Sequence, residues 1–384
     1  MIKWGGVGIL LLAILAGVYV FLYLPPRVDA NMNAVTPHAP YPISADAQRL
    51  HDQLAVADLH ADTLLWRRDP AKRHARGQTD LPRLRDGGVS LQVFSATTKS
   101  PKGQNYTENT AGRDQITLLA IAQRWPIPAW TSIYERAAYQ ARRLQRLERE
   151  EGGKFIFVRT ASDLEKALAT DALAGVFLIE GGHPFEGDIA NVDRLYDEGL
   201  RIIGMQHFFD NALGGSLHGV TKGGLTEFGE AVVRRAAEKS MIIDVAHSSE
   251  AVVRDILAVS TRPVIVSHTG LNGHCESPRN ISDETMKAIA EAGGLIGIGF
   301  WEDVVCGPAP SDIASAIVYA VDLLGADHVA LGSDFDGTVT TPIDASEMAA
   351  ITQALIDAGL GDETIKAVMG DNAIRFFLEN LPAE

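Results

Sequence analysis

His60 and Asp62 stand two residues apart in DLHADT, at the end of an apolar run. In an extended strand that spacing puts both side chains on one face, with Cα atoms about 6 to 7 Å apart. Both can then reach one ion at about 2.0–2.2 Å. Polar groups stand at the ends of other apolar runs as well: Glu180 opens EGGH, His207 follows RIIGMQ, His247 lies in IIDVAHSS, His268 in VIVSHTG and Asp334 in LGSDFDG. His247 and His268 would hold a second ion, with Glu180 bridging the two. A pair of metals about 3.5–4 Å apart stabilises a bridging hydroxide and polarises a carbonyl. Lowering the pKa of water from 15.7 to about 7 corresponds to roughly 12 kcal/mol, and no side chain here supplies a comparable nucleophile. The nitrogen and oxygen donors, with no thiolate, suit zinc best and admit manganese, cobalt or iron.

Each position has a plainer reading when taken alone. A strand-end histidine is often a satisfied structural group, and an aspartate there often caps the next helix. Asp336 beside Gly337 reads as turn chemistry, and His183 as a cap on its own loop. His38, His51, His74, His218, His274 and His328 read as surface or structural. Independent capping fits poorly when six strand ends carry such groups together.

The elements that must position these residues are eight Val-, Ile- and Leu-rich runs: 55–59, 89–94, 175–179, 201–206, 241–246, 263–267, 295–300 and 328–332. Helical periodicity fills the intervals, as at 228–239, 249–257, 283–292 and 311–324. Alternating strands and helices predict a parallel (β/α)8 barrel, whose chemistry belongs at the C-terminal strand ends. Residues 155–159 read as a peripheral ninth strand. The excursion from 95 to about 174 reads as an insertion with helices at 111–124 and 129–151.

Residues 4–24 carry no charge and are long enough to cross a bilayer. The domain reading is an anchor or signal segment at 1–24, a Pro-rich linker at 25–44 and the barrel at 45–384. A retained anchor fits better than a cleaved signal, because the apolar run is long and Val28-Asp29-Ala30 is a poor cleavage site. Lys3 before the run and Tyr19 and Tyr23 near its far end place the body outside the cytoplasm. The formal charge of −15 disfavours nucleic-acid partners. Cys275 and Cys306 permit a single bridge in an oxidising compartment or two thiols.

D-x-H-x-D at the first strand, IEGGH, DVAHSS, VSHTG, C-x-x-x-R-N, SDFDG and MGDNAIRFF together resemble the membrane dipeptidase (renal dipeptidase) family of binuclear zinc peptidases, within the amidohydrolase-like barrels. The resemblance runs over residues 45 to 380 in order. It implies hydrolysis of dipeptides, including those with a C-terminal D-residue, by metal-bound hydroxide. It makes His60 and Asp62 ligands of one zinc, His247 and His268 ligands of the other, and Glu180 the bridge. His207 would bind the substrate carbonyl and its oxyanion. Arg279 would grip the terminal carboxylate, with Asn280 beside it in the substrate-binding set, and Asp334 would carry the proton from water to leaving amine. A Cys275–Cys306 disulfide, an extracytoplasmic (in a bacterium, periplasmic) body and a homodimer follow from the same resemblance. Some relatives carry tyrosine where this chain has Phe300-Trp301, and the polar LENLPAE end lacks the apolar tail of lipid-anchored relatives. Competing functions are removal of an N-acyl group from an amino acid, and an inactive membrane-anchored metal-binding protein.

Overall fold

The Val-, Ile- and Leu-rich runs form parallel strands in the computed structural model, which describes residues 2–383. They are β1 Val56–Ala61, β2 Val89–Thr97, β3 Phe155–Phe157, β4 Leu173–Glu180, β5 Leu200–Gly204, β6 Ile242–Asp244, β7 Ile265–Thr269, β8 Leu295–Ile298 and β9 Val329–Leu331. Neighbours run β2-β1-β9-β8-β7-β6-β5-β4, and pairing of β2 with β4 closes the ring into a (β/α)8 barrel. Every strand residue except Ser90 is buried, as expected where helices cover a parallel sheet. β3 pairs only with Leu173 to Gly175 of β4, beside the stretch where β5 takes over from Phe177, so it is peripheral as expected.

Strand ends moved in an informative way. β1 and β7 run on through His60 and His268, because a parallel ladder is made by backbone and a polar side chain does not end it. β6 is shorter than expected: only Asp244 pairs with β7, and the chain then turns to carry His247. In the insertion the first helix is Gln115–Ala122, begun by the Asp114 carboxylate accepting from Ile116 N at 3.0 Å. The second expected helix is two, Pro128–Thr131 and Ile133–Glu151, divided at Ser132, whose hydroxyl caps Glu135 N.

At the N-terminus a helix over Ile2–Val18 passes through a π turn, Tyr19–Tyr23, into Leu24–Met32. Pro25 and Pro26 fall in the first turn of that last segment, where the missing N–H groups cost least. Within the helix Val7–Met32 an 18-residue window has a mean hydropathy of 2.6 and none of it is buried, so the helix is long and apolar enough to cross a membrane; an anchor and a signal sequence both fit it. Residues 25–44 do not run free as a linker would. Val35 bridges to Thr341, Thr36 N donates to Thr341 O at 2.8 Å, and Tyr41 Oη donates to Pro342 O at 3.0 Å. The buried Asp29 draws the segment in through Arg68 and Arg76.

A disulfide joins Cys275, after β7, to Cys306, after β8, across a separation of 31 residues. A loop of that length restricts the unfolded chain enough to contribute about 3 to 4 kcal/mol. Replacing both cysteines by serine should lower the unfolding free energy by that amount in denaturant titrations.

Candidate active site

The barrel brings the expected groups to one rim. His60 Nε2 lies 3.8 Å from Asp62 Oδ2, 3.7 Å from Glu180 Oε1 and 3.8 Å from Asp334 Oδ1. Glu180 Oε1 is 3.1 Å from His247 Nε2 and 3.3 Å from His268 Nε2, and Oε2 is 3.2 Å from His207 Nε2. Glu180 therefore sits among four imidazoles. Thr97 ends β2 opposite Glu180 in register, and its hydroxyl lies 2.9 Å from Glu180 and 3.0 Å from Asp62.

These side chains fit a divalent cation better than they fit each other. His60 Nε2 is fully buried without a hydrogen-bond partner, and the Nε2 atoms of His247 and His268 face one another at 3.1 Å. Buried polar atoms left in that state call for an ion or water between them. Three overlapping triads have ligand atoms close enough to share an ion: His60–Asp62–Glu180, Glu180–His207–His247 and His60–His268–Asp334. The first is the expected pair with its bridge. The other two cross the expected division, by setting His207 beside His247 and Asp334 beside His268.

Burial and crowding set the protonation of the cluster. Burial, reinforced by Asp62 and Glu180, raises the Asp334 carboxyl well above the usual range, although His60 opposes it. Glu180 goes the other way: burial opposes its charge, but His207, His247 and His268 hold it well below that range. Burial also keeps His247 and His268 neutral, helped by Arg279 and, for His268, by His60. Neutral imidazoles and a charged carboxylate are the forms that bind metal.

Sequence reasoning missed the residues that aim the histidines. Ser267 Oγ donates to Asp244 Oδ2 at 2.7 Å and lies 2.8 Å from His268 Nδ1 and 3.3 Å from His60 Nδ1. With its own proton committed to Asp244, that oxygen can accept from both Nδ1 positions, and both Nε2 atoms point toward Glu180. The available signal was adjacency: Ser267 directly precedes His268, and Asp244 stands three before His247. Ser267→Ala should weaken metal affinity about 10- to 100-fold in chelator competition, as loss of such a supporting bond does. Asp58, deeper on β1, accepts from Ser333 N at 2.7 Å and Gln92 Nε2 at 2.7 Å, tying β1 to β9 and β2 below the rim.

A cavity of about 240 Å³ opens over this cluster, smaller than the ~300–1,000 Å³ of pockets for drug-sized ligands. Asp62, Glu180, His207, His247, His268, Arg279 and Asp334 all line it. Arg279 is 1% exposed, and its bonds go to neutral acceptors: Ala246 O at 2.9 Å, Thr269 Oγ1 at 3.1 Å and His268 O at 2.6 Å. Asn280 is not brought to the cavity. Next to Arg279 in a tight loop its side chain points the other way, donating to Cys275 O at 2.8 Å and Val304 O at 3.0 Å, so it holds the disulfide loop. Tyr106, from the insertion, also lines the cavity, and its hydroxyl accepts from Trp301 Nε1 at 3.1 Å; a phenol thus comes from the insertion to the end of the seventh barrel strand. His183 stacks on Phe209 at 4.7 Å, and His218 packs 5.3 Å from His247 with Nδ1 2.9 Å from Tyr106 O. Burial holds both neutral, with pKa values of about 3.

Comparison with known proteins agrees with this geometry. The profile described as membrane dipeptidase (Peptidase family M19) matches residues 44–381. The chain belongs to the membrane dipeptidase family. Dipeptidase ataJ of Aspergillus terreus is 27% identical over 328 residues, covering 78% of this chain and 76% of that protein. The solved dipeptidase AC, a metallo peptidase of family M19, superposes with a TM-score of 0.71 at 24% identity, covering 86% of this chain and 99% of its own. A metallo peptidase from Rhodobacter sphaeroides, liganded with a phosphinate mimic of the dipeptide L-Ala-D-Ala, superposes at 0.69 with 23% identity, covering 85% and 99%. As a membrane dipeptidase family member the chain is a metallohydrolase of dipeptidase type.

Proposed function

We propose that this family member is a zinc-dependent dipeptidase that binds two Zn2+ bridged by Glu180 and accepts dipeptides with a C-terminal D-residue. The observation that carries the reading is Arg279, a buried guanidinium with only neutral partners, facing the His60–Asp62–Glu180–His247–His268 cluster across a small cavity. A buried cation without a counter-ion is costly, and a ligand carboxylate offsets that cost in two parallel hydrogen bonds. The phosphinate mimic of L-Ala-D-Ala bound to the Rhodobacter sphaeroides relative supports the L-D substrate class.

The divalent pair, when bound, supplies Lewis acidity and lowers the pKa of a water toward 7. The chain's own residues do the rest. Arg279 fixes the substrate by its terminal carboxylate. His207, held through Nδ1 3.3 Å from Lys99 O, lines the cavity and is the group assigned to the carbonyl oxygen and the charge that develops on it. Asp334, whose carboxyl burial disposes to hold a proton, takes one from the attacking water and returns it to the leaving amine. Gly337 leaves room for that carboxylate, since a Cβ there would lie 1.9 Å from Asp334 Oδ1.

The N-terminal helix is read as a retained anchor with the barrel outside the cytoplasm, periplasmic in a bacterium; Lys3 before the span and the Cys275–Cys306 disulfide support that side of the membrane. The experiment for the reaction is a panel of L-L and L-D dipeptides, their N-acetylated forms and a tripeptide. Free dipeptides should be cleaved and the tripeptide spared. Cleavage of the acylated forms alone would replace the dipeptidase reading by an N-acyl amino acid amidohydrolase.

A further inference from the structure

We propose that the last turn of the N-terminal helix and the chain that follows it, residues 29–36, are part of the active-site scaffold, and that Asp29 is a positioning residue for the loop that carries Asp334.

The loop after β9 is unusual in its backbone. Asp334, Asp336 and Thr338 alternate in the left-handed region, with φ of +59°, +64° and +68°. A β-branched residue there is a genuine outlier, and such conformations persist only where surrounding contacts over-determine them. Asp334, Gly337, Thr338 and Val339 of this loop line the substrate cavity.

Besides contacts from the barrel, such as Trp66 Nε1 to Asp336 O at 2.7 Å, the loop is held through the tether. Asp29, 3% exposed, pairs with Arg68 Nε at 3.1 Å and Arg76 Nε at 2.8 Å. Arg68 carries the connection onward, pairing through Nη2 with Asp336 Oδ2 at 2.6 Å. Asn33 donates to Asp29 at 2.9 Å and accepts from Thr338 N at 3.0 Å. Gln78 closes the arrangement: it exchanges two hydrogen bonds with Asp336, at 2.8 and 2.6 Å, while its amide donates to Ala34 O at 2.9 Å and Val339 O at 2.8 Å. Two aspartates thus flank one buried arginine, one on the tether and one two residues from Asp334.

The tether lies before residue 44, where the family match begins. It also bears on processing. On this proposal, cleavage after Ala30 would cost the loop the contacts that Asp29 makes with Arg68 and Arg76. The turnover readout rests on the dipeptidase reading; a second readout does not.

The test uses the full-length chain in detergent, with Asp29→Asn, Asp29→Glu, Asn33→Ala and a control, Asp46→Asn, whose carboxylate is exposed and pairs only along its own helix with Arg49. Asp29→Asn should keep wild-type metal content and a KM within about twofold, while kcat falls about tenfold, the scale of loss from a small misplacement of a reacting group. Asp29→Glu should restore most of that turnover, and the control should match wild type. Hydrogen exchange at residues 334–341 should quicken in Asp29→Asn while β7 is unchanged. Wild-type kcat together with unchanged exchange in that loop would overturn the proposal. If Asp29→Asn fails to fold, Asn33→Ala decides on the same two readouts, since it removes the bond to Thr338 and leaves the charges paired. If the wild-type chain cleaves no dipeptide, the proposed reaction fails, and exchange at 334–341 still decides the role of the tether.

Discussion

Asp334→Asn is expected to bind the metal complement of the wild-type chain and to lose at least about a hundredfold in kcat, with the loss shared by kcat/KM. The substitution keeps the shape of a side chain packed against Gly337 and removes only its capacity to accept a proton and pass it on. General acid–base groups contribute about 10²- to 10⁴-fold, so a hundredfold loss corresponds to roughly 2.7 kcal/mol of barrier. Burial beside Asp62 and Glu180 is what gives this carboxyl a proton affinity unlike that of a surface aspartate. Steady-state kinetics alongside metal analysis of the same sample checks it. Normal metal content with nearly normal turnover would remove Asp334 from the proton path; loss of metal would make it a ligand, as the His60–His268–Asp334 triad allows.

Glu180→Gln should have the larger effect and a different character. One carboxylate lies within 3.1 to 3.7 Å of four imidazole Nε2 atoms, so no other single change touches as much of the cluster. An amide is nearly the same size, but it is neutral and turns one lone-pair oxygen into a donor facing imidazole nitrogens. Metal should bind far more weakly, and activity should fall to background at metal concentrations that saturate the wild type. Breaking a buried charge cluster by removing one partner typically costs about 3 to 5 kcal/mol, so the apo protein should also change its unfolding midpoint. Calorimetric metal titration and thermal unfolding, with and without added zinc, separate the two consequences.

Both predictions concern residues that were legible in the sequence, and the reason is physical. A parallel barrel writes its strands as buried Val/Ile/Leu runs and its chemistry at their C-terminal ends, so Glu180, His207, His247 and His268 announce themselves by position. What the sequence hides is where a side chain turns once the backbone leaves the strand. Asn280 adjoins Arg279 yet faces the opposite way, because adjacent residues in a loop share no face. Ser267 and Asp244 look like ordinary strand residues until three strands converge and one hydroxyl is seen to orient two histidines. Tyr106 reaches the cavity from an insertion whose local pattern shows only helices and loop. The stretch from 25 to 44 was the hardest to read: its prolines and polar residues match a free linker, while its docking depends on Arg68, Arg76 and Asp336, far away in sequence.

In the proposed mechanism catalysis belongs to a two-metal centre built by His60, Asp62, Glu180, His247 and His268. The most direct test is to strip the purified full-length chain with chelator and titrate zinc back while following both bound metal and dipeptide hydrolysis. Activity should be lost on stripping and return only as the second equivalent of metal binds, reaching its plateau at two per chain. Activity that survives stripping, or that reaches its plateau with one metal or fewer bound per chain, would contradict it.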